Sequence, residues 1–258
     1  MEFTQLLIRI QEIFLAACLM VQSLESVIRG DGMSYIPGFT RFPAWARPGL
    51  RALSSPSGFR ILHGMRVIGA LGLVWFPAQL PVLAGLLALQ FILPFRHRGA
   101  FNGGSDFMTA QVLGATFALR AIGSHPGQVR VILCYLGLQT ILSYWISGWH
   151  KFRHASWRSG EALQVFLRNN RYGTPGPILD LVRFPGFVKV SVWGLLAFEL
   201  LFPFSLAGPR VALMFMGVGL VFHYAVFRVF GLNRFFWAWL AAYPSVYFVS
   251  VQGWMVAP

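Results

Sequence analysis

Charged residues are scarce in this chain. Of its 258 residues, 11% are charged and 56% are hydrophobic, whereas an ordinary soluble domain has about 25% charged residues. A soluble protein of this length needs a more polar surface to stay dispersed in water. The composition therefore excludes an independently folded soluble domain. It also excludes a disordered chain, because abundant apolar surface is available for burial.

Cysteine and histidine are also rare. The two cysteines, Cys18 and Cys134, fall inside apolar stretches, so we expect buried, reduced thiols. No zinc or haem-attachment spacing is present. His150 and His154 are four residues apart and could share one helix face. Six histidines in the whole chain are too few for a His-rich di-iron membrane site, so we expect no metal.

Long apolar stretches separated by short basic loops dominate what remains. Because a bilayer core about 30 Å thick needs roughly 17–25 helical residues to cross it, we predict an all-α integral membrane protein. Its residues 1–258 would form a single polytopic domain, one bundle of about eight transmembrane helices. The predicted spans are 5–28, 60–76, 79–95, 106–123, 129–149, 187–206, 210–230 and 233–251.

Three alternatives to this count stay open. Seven spans is the next choice. The first span is the weakest, since Arg9, Glu12 and Glu25 interrupt it, and an interfacial amphipathic helix competes there. The second and third spans are separated only by residues 76–78 and form either a tight hairpin or one long kinked segment.

Positive charge is concentrated in alternate loops, and this sets the expected orientation. The loops after spans one, three, five and seven carry most of the basic residues, which gives the chain a net charge of +13. By the positive-inside rule these loops are cytoplasmic and both termini lie outside. We expect a bacterial inner-membrane protein whose basic face meets anionic lipid head groups, and we expect no nucleic-acid partner.

The loop 150–186 is long enough to hold structure of its own. Apolar and polar residues alternate through Ser159–Asn169, and this pattern predicts a short interfacial helix. We expect Asn169–Asn170, and then Gly173 through Pro177, to end that helix.

Ionisable residues inside or at the edge of a span are candidate sites, because they are costly to place in lipid. Glu199 and His223 lie near the middle of their spans. Each has a structural reading, as a buried hydrogen-bonding partner, and a functional one, as a proton acceptor or ligand-binding group. The complete set is Arg9, Glu12, Glu25, His63, Arg66, His150, Lys151, Glu199 and His223.

The densest group of such residues lies where the fifth span ends. The run Tyr144-Trp145-Ile146-Ser147-Gly148-Trp149-His150-Lys151-Phe152 is followed by Trp157 and Gly160. Lys151 is either an anchor that reaches the head groups or, turned into the bundle, a general base or amine nucleophile.

The run Ser147–Phe152 followed by Trp157-x-x-Gly160 resembles the segment of vitamin K-dependent γ-glutamyl carboxylases that contains a lysine assigned as catalytic base. The stretch Phe222-His223-Tyr224, continuing to Gly231-Leu232-Asn233 and Phe235-Phe236-Trp237, is similar to later helices of the same superfamily, whose membrane module is called the HTTM domain. The similarity covers roughly residues 100–250.

This resemblance implies a catalytic site. Lys151 takes the position of the base that deprotonates a reduced quinone, His150 stands where the carboxylase has a second lysine, and His223 matches a histidine without an assigned role. A quinone would be the cofactor or substrate, with Trp149, Trp157 and Glu199 around it. A belt of tryptophans at the membrane surface is the alternative for at least two of Trp145, Trp149 and Trp157.

Two departures from the carboxylases argue against γ-carboxylation of protein glutamates. We expect no β-rich domain of the kind with which the carboxylases bind propeptide and substrate. The charge pattern also places the loop after Lys151 on the cytoplasmic face, whereas the carboxylases act in the secretory lumen.

Two functions follow as hypotheses. The first is a membrane-embedded enzyme, carboxylase-like or a quinone-dependent oxidoreductase, that acts on a quinone or another lipid-soluble substrate. The second is a non-catalytic subunit or scaffold of a larger membrane complex. A Lys151 side chain turned inward, near His223 or Glu199, favours the enzyme, and one pointing to lipid head groups favours the scaffold.

Overall fold

The computed structural model describes residues 2–29, 43–53, 55–77, 79–94, 103–123, 125–169 and 174–255. Over these residues the chain is helical and contains no strand, which confirms the expected all-α fold class. The helices are α1 Glu2–Arg29, α2 Arg47–Leu53, α3 Pro56–Trp75, α4 Leu80–Ile92, α5 Gly103–Ala121, α6 Pro126–Arg153, α7 Ala155–Ser159, α8 Glu161–Arg168, α9 Gly176–Leu181, α10 Pro185–Leu201, α11 Pro209–Phe230 and α12 Asn233–Met255, with a 3₁₀ helix at Phe202–Ala207.

Four helical segments of the described chain are long and apolar enough to cross a membrane: Glu2–Ile28, Pro126–Arg153, Pro185–Ala207 and Pro209–Phe230. The predicted count of eight spans is therefore not supported, although a helix lies at each predicted position. With 13 residues, α4 is only about 20 Å long. The helix α3 carries Arg60, His63 and Arg66, which lower its apolar character.

The helix bounds bear on two of the open alternatives. The first predicted span corresponds to one helix, Glu2–Ile28, that is long and apolar enough to cross a membrane. The second and third predicted spans are two separate helices, since α3 ends at Trp75 and α4 begins at Leu80. Pro81 lies in the first turn of α4, where its missing N–H costs no helical hydrogen bond.

The chain divides into two compact units, Met1–Ile132 and Leu133–Pro258. In the first unit α1 packs against α3 and α5, and α4 packs against α3 and α5. Leucines fill the spaces between these helices, among them Leu15, Leu83 and Leu113, each fully buried.

One polar cluster of the first unit is centred on Glu12, whose side chain has no exposed surface. Its carboxylate accepts from Arg9 Nη1 at 3.1 Å and from Arg120 Nε at 2.7 Å. The Arg9 guanidinium also donates to the carbonyls of Leu73, Val74 and Phe76 at 2.6, 2.6 and 3.0 Å. Arg9 thus satisfies carbonyl groups that have no intrahelical partner at the C-terminus of α3.

A second polar cluster of this unit surrounds Arg66, which is 4% exposed. Arg66 Nη2 donates to the side-chain carbonyls of Gln22, at 2.7 Å, and Gln90. The amide of Gln22 donates in turn to Thr109 Oγ1 at 2.8 Å. Cys18, which is buried as expected, lies 3.1 Å from the Gln22 amide. The polar atoms of these side chains are therefore bonded largely to one another.

In the second unit α11 packs against α12 and the 3₁₀ helix, and α10 packs against α7, α8 and α11. Small residues allow close approach between helices. A methyl group at Gly137 would collide with the Ser245 carbonyl, and one at Gly219 would collide with the Tyr243 hydroxyl. Cys134 is only partly buried, so the expectation for this thiol holds less well than for Cys18.

The predicted short helix near Ser159–Asn169 is confirmed as α8, Glu161–Arg168. Gly160 precedes it with φ 88°, a left-handed conformation that glycine adopts without steric cost. The buried Leu167 of α8 packs with Val182 and Val188, whereas Val165 and Phe166 are exposed. The apolar side chains of this short helix are thus divided between a small core and the surface.

Candidate functional site

Several polar residues of the candidate site lie on one face of α6. Tyr144, Ser147, Gly148 and Lys151 follow one another at steps of three, one and three residues, so they lie on one stripe of the helix. The tyrosine is 3% exposed, and the Lys151 side chain is 19% exposed. The stripe faces the interior of the second unit rather than its surface.

Lys151 is paired with Glu199 of α10. Its Nζ atom lies 2.6 Å from Oε1 and 2.7 Å from Oε2 of Glu199, and 2.6 Å from Ser147 Oγ. An ammonium group has three protons, and these three oxygens are three acceptors. Ser147 Oγ also lies 3.2 Å from Glu199 Oε1 and donates to it. The hydrogen bonds of the ammonium group are thus complete.

Glycine at position 148 makes this pairing possible. A methyl group there would lie 2.8 Å from Cβ of Glu199 and 3.0 Å from the backbone nitrogen of Leu200. Any larger residue would push α10 away from α6 and lengthen the contact between Lys151 and Glu199. The Ser-Gly dipeptide before Lys151 therefore supplies both a hydrogen-bond partner and the space for the carboxylate.

A hydrogen-bonded chain lies one turn earlier on the same face of α6. The Tyr144 hydroxyl is 2.6 Å from Nε2 of His223 on α11 and 2.7 Å from the Tyr243 hydroxyl on α12. The ring of Tyr144 stacks on Phe202, with ring centroids 3.9 Å apart. The Tyr144 ring also lies against Phe198, the residue before Glu199 in α10, with ring centroids 5.4 Å apart. The Lys151–Glu199 ion pair and the hydrogen-bonded side chains of Tyr144, His223 and Tyr243 are thus neighbours in one polar region.

The aromatic residues expected at this site are divided between two environments. Lys151 Nζ lies 5.6 Å from the centroid of the Trp157 ring, within the range of a cation–π contact. Trp149 instead stacks on Trp145, with centroids 6.0 Å apart, and the two rings are 42% and 39% exposed. Their exposure fits the alternative of a surface belt, and the prediction of Trp149 as a quinone contact gains no support.

His150, the remaining predicted catalytic residue, is exposed on α6 and does not join the inward stripe. Of the six predicted site residues, the structure brings together Lys151, Glu199, His223 and Trp157. Sequence reasoning gave no role to Ser147, Tyr144 or Tyr243. The first two were recognisable from their helical spacing to Lys151, whereas nothing in the local sequence marks Tyr243.

The chain matches no protein-family profile, no curated protein sequence and no solved structure. The resemblance of residues 147–160 to the carboxylase segment therefore rests on the residues quoted above.

Proposed function

We propose that the protein is a membrane-embedded enzyme that accepts a proton from a quinol or a similar lipid-soluble hydroxyl compound, with Lys151 as the base. The observation that carries this proposal is the inward position of Lys151, bonded to Glu199 and Ser147. The resemblance of the Ser147–Phe152 run to the base-containing segment of the carboxylases supports the same assignment.

The partner of Lys151 defines how the base would be generated. An ammonium group has no lone pair and cannot accept a proton. Transfer of one proton across the 2.6 Å contact converts the ammonium–carboxylate pair into an amine and a carboxylic acid, with no change in net charge. The amine then takes the proton of the substrate hydroxyl, whose O–H electron pair stays on oxygen. This transfer forms the Lys151 ammonium again. Its positive charge lies beside the phenolate that the substrate has become and stabilises that anion.

The surroundings of Lys151 suit a flat apolar substrate. Trp157 lies on one side of the ammonium, and Phe152 and Trp193 form an edge-to-face pair nearby on α6 and α10. Aromatic rings of this kind bind other rings through stacked or edge-to-face contacts. The same rings would limit the access of water to the proton-transfer step.

The test follows a reaction that depends on deprotonation. The purified chain in lipid nanodiscs would be mixed with 2-methyl-1,4-naphthohydroquinone and oxygen, which yield the quinone and hydrogen peroxide. We expect the protein to accelerate quinone formation, since the hydroquinone anion reacts faster with oxygen than its neutral form does. The double variant Lys151→Met/Glu199→Gln should abolish the acceleration while avoiding a buried unpaired charge.

Lys189 offers the matched control. It is the second of the two lysines in the chain and is exposed on α10. Lys189→Met should therefore keep the wild-type rate. Equal rates for wild type and the double variant, or equal losses in the double variant and Lys189→Met, would contradict the assignment of Lys151.

A non-catalytic subunit of a membrane complex is the second candidate. Only 11% of the most apolar stretch of α11 is buried inside the structure. The rest is a large surface for lipid or for another protein. Mass spectrometry of the gently solubilised complex would distinguish the two functions. A stoichiometric protein partner that covers α11, together with no acceleration in the quinol assay, would favour the subunit.

We also propose that the helices at all eight predicted positions cross a bacterial inner membrane, with both termini outside. The concentration of arginine in alternate loops supports this topology. Reporter fusions after residues 29, 153 and 230 should report a cytoplasmic location, and fusions after residue 123 an external one. If the reporter locations are reversed, the termini lie in the cytoplasm. If the locations do not alternate, fewer than eight helices cross the membrane.

A further inference from the structure

Two buried ring nitrogens in the second unit lack a hydrogen-bond partner among the described residues. They are Nδ1 of His223 and Nε1 of Trp239, whose residues are 4% and 8% exposed. The two rings are neighbours, with centroids 5.1 Å apart and planes inclined by 35°. A buried polar group without a partner is unusual in a native protein, and two of them on neighbouring rings point to a site for a bound group.

The hydrogen-bond chain assigns the proton on His223. The hydroxyls of Tyr144 and Tyr243 carry one proton each, and the chain contains two contacts, from Tyr243 to Tyr144 and from Tyr144 to His223 Nε2. Each hydroxyl proton takes part in a hydrogen bond only if Tyr243 donates to Tyr144 and Tyr144 donates to Nε2 of His223. His223 is then the neutral tautomer with its proton on Nδ1. Both unpartnered atoms are therefore N–H donors.

This donor pair is held in place by close packing. Gly219 leaves room for the Tyr243 hydroxyl, because a methyl group at that position would collide with it. Phe222 lies against His223, with centroids 4.8 Å apart, and Phe235 stacks on Trp239 at 5.4 Å. The immediate surroundings of the two N–H groups are thus largely aromatic.

The chemistry of the donors selects the ligand. A water molecule could accept from both N–H groups, but its own two protons would then need acceptors among these rings. A carbonyl oxygen has two lone pairs and no proton, so it satisfies both donors and leaves nothing unpaired. We propose that His223 Nδ1–H and Trp239 Nε1–H bind a carbonyl oxygen of a lipid-soluble ring compound. The identity of that compound as a quinone rests on the function proposed above.

The experiment measures the carbonyl itself. Isotope-edited infrared spectroscopy would follow 2-methyl-1,4-naphthoquinone, labelled with ¹³C at its carbonyl carbons, bound to the protein in nanodiscs. We expect one carbonyl band to move to lower frequency on binding, because two hydrogen bonds weaken the C=O bond. Trp239→Phe keeps the ring and removes the N–H, and it should reverse part of that shift and weaken binding roughly fivefold.

Trp237→Phe is the matched control, since Trp237 lies two residues away on α12 and is only partly buried. It should leave the band and the affinity at wild-type values. Naphthalene, which has no oxygen, provides the second control, and its affinity should be the same in wild type and Trp239→Phe. An unshifted carbonyl band in the wild-type complex, or equal effects of the two tryptophan variants, would overturn the inference.

The carbonyl site and the catalytic role of Lys151 are tested by separate measurements. The double variant Lys151→Met/Glu199→Gln should keep the shifted carbonyl band although it no longer accelerates quinol oxidation. A carbonyl shift that is partly reversed only in Trp239→Phe supports the carbonyl site even if Lys151 proves not to be the base. Loss of the carbonyl shift in the double variant, with the protein still folded, would place the carbonyl at Lys151 instead and overturn the assignment to His223 and Trp239.

Discussion

The two compact units both bury polar side chains among apolar helices, but they use different chemical groups. The first unit relies on arginine, glutamine and threonine around Glu12 and Arg66. The second relies on lysine, glutamate, tyrosine and histidine around Lys151 and His223. Both arrangements lower the cost of burying polar groups by pairing them, although Nδ1 of His223 has no partner among the described residues.

The groups differ in whether they can exchange a proton. Arginine stays protonated in proteins, and its planar group holds several acceptors in fixed directions. Lysine, histidine and tyrosine each exist in two protonation states. Arg9 binds three backbone carbonyls as well as Glu12, which is a structural task. Lys151 binds only side chains, which fits the proton transfer that we propose for the second unit.

Removing the charge of Glu12 is expected to have the largest effect on stability. Glu12→Gln leaves Arg9 and Arg120 without their shared carboxylate, and breaking a buried ion pair costs about 4 kcal/mol. The free energy of unfolding, followed by circular dichroism in mixed micelles with increasing SDS, would measure the loss. Glu161→Gln on the exposed face of α8 is the control and should change it little. Equal effects of both variants would mean that the Glu12 pairs are not structural.

Removing Lys151 alone should have the next largest effect. Lys151→Met leaves the Glu199 carboxylate, 4% exposed, without an ammonium partner, so we expect a loss of about 3 kcal/mol in unfolding free energy. Adding Glu199→Gln should restore most of it, because the buried charge is then gone. This recovery would set the second unit apart from the first, where Glu12 also fixes the end of α3 through Arg9. A double variant that is no more stable than Lys151→Met would refute the pairing.

Helix packing in the second unit can be tested with two neighbouring glycines of α11. Gly219→Ala places a methyl group against the Tyr243 hydroxyl and should cost about 2 kcal/mol in unfolding free energy, as overpacking does. Gly217→Ala meets no atom within 4 Å and should cause no loss. Only the first variant should also disturb the chain from Tyr243 to His223, which the ring signals of Tyr243 and His223 in NMR spectra would report. Equal stability of the two variants would contradict the close contact.

Hydropathy and charge predicted much of the helical arrangement. The predicted span 210–230 corresponds to α11, Pro209–Phe230, because glycine and proline mark its limits and its interior is almost entirely apolar. The span count was harder to predict. In α3, residues such as His63 and Arg66 face the interior of the first unit, being 3% and 4% exposed. Buried polar residues of this kind lower the mean hydropathy of a helix. Hydropathy alone therefore does not show whether such a helix crosses the membrane.

The candidate site was predictable in part. The run before Lys151 marked the lysine, and Glu199 and His223 stood out as ionisable residues within apolar stretches. Which of them pairs with Lys151 depends on a contact across 48 residues of sequence, which helical spacing does not specify. Tyr243 and Trp239 carry no such mark, since aromatic residues are frequent throughout the chain. Their importance follows only from their hydrogen-bonding atoms being buried together.

The smallest predicted effect isolates the contribution of a single hydroxyl on α6. Ser147→Ala removes the oxygen that lies 2.6 Å from Lys151 Nζ and should lower the unfolding free energy by about 1.5 kcal/mol, the usual contribution of a hydrogen bond to a charged group. Ser143, one turn earlier, bonds to the backbone carbonyl of Gln139 at 2.8 Å, so Ser143→Ala should cost less. If quinol oxidation slows in Ser147→Ala but not in Ser143→Ala, the serine also positions the amine. Equal rates with unequal stabilities would confine Ser147 to structure and leave proton transfer to Lys151 and Glu199.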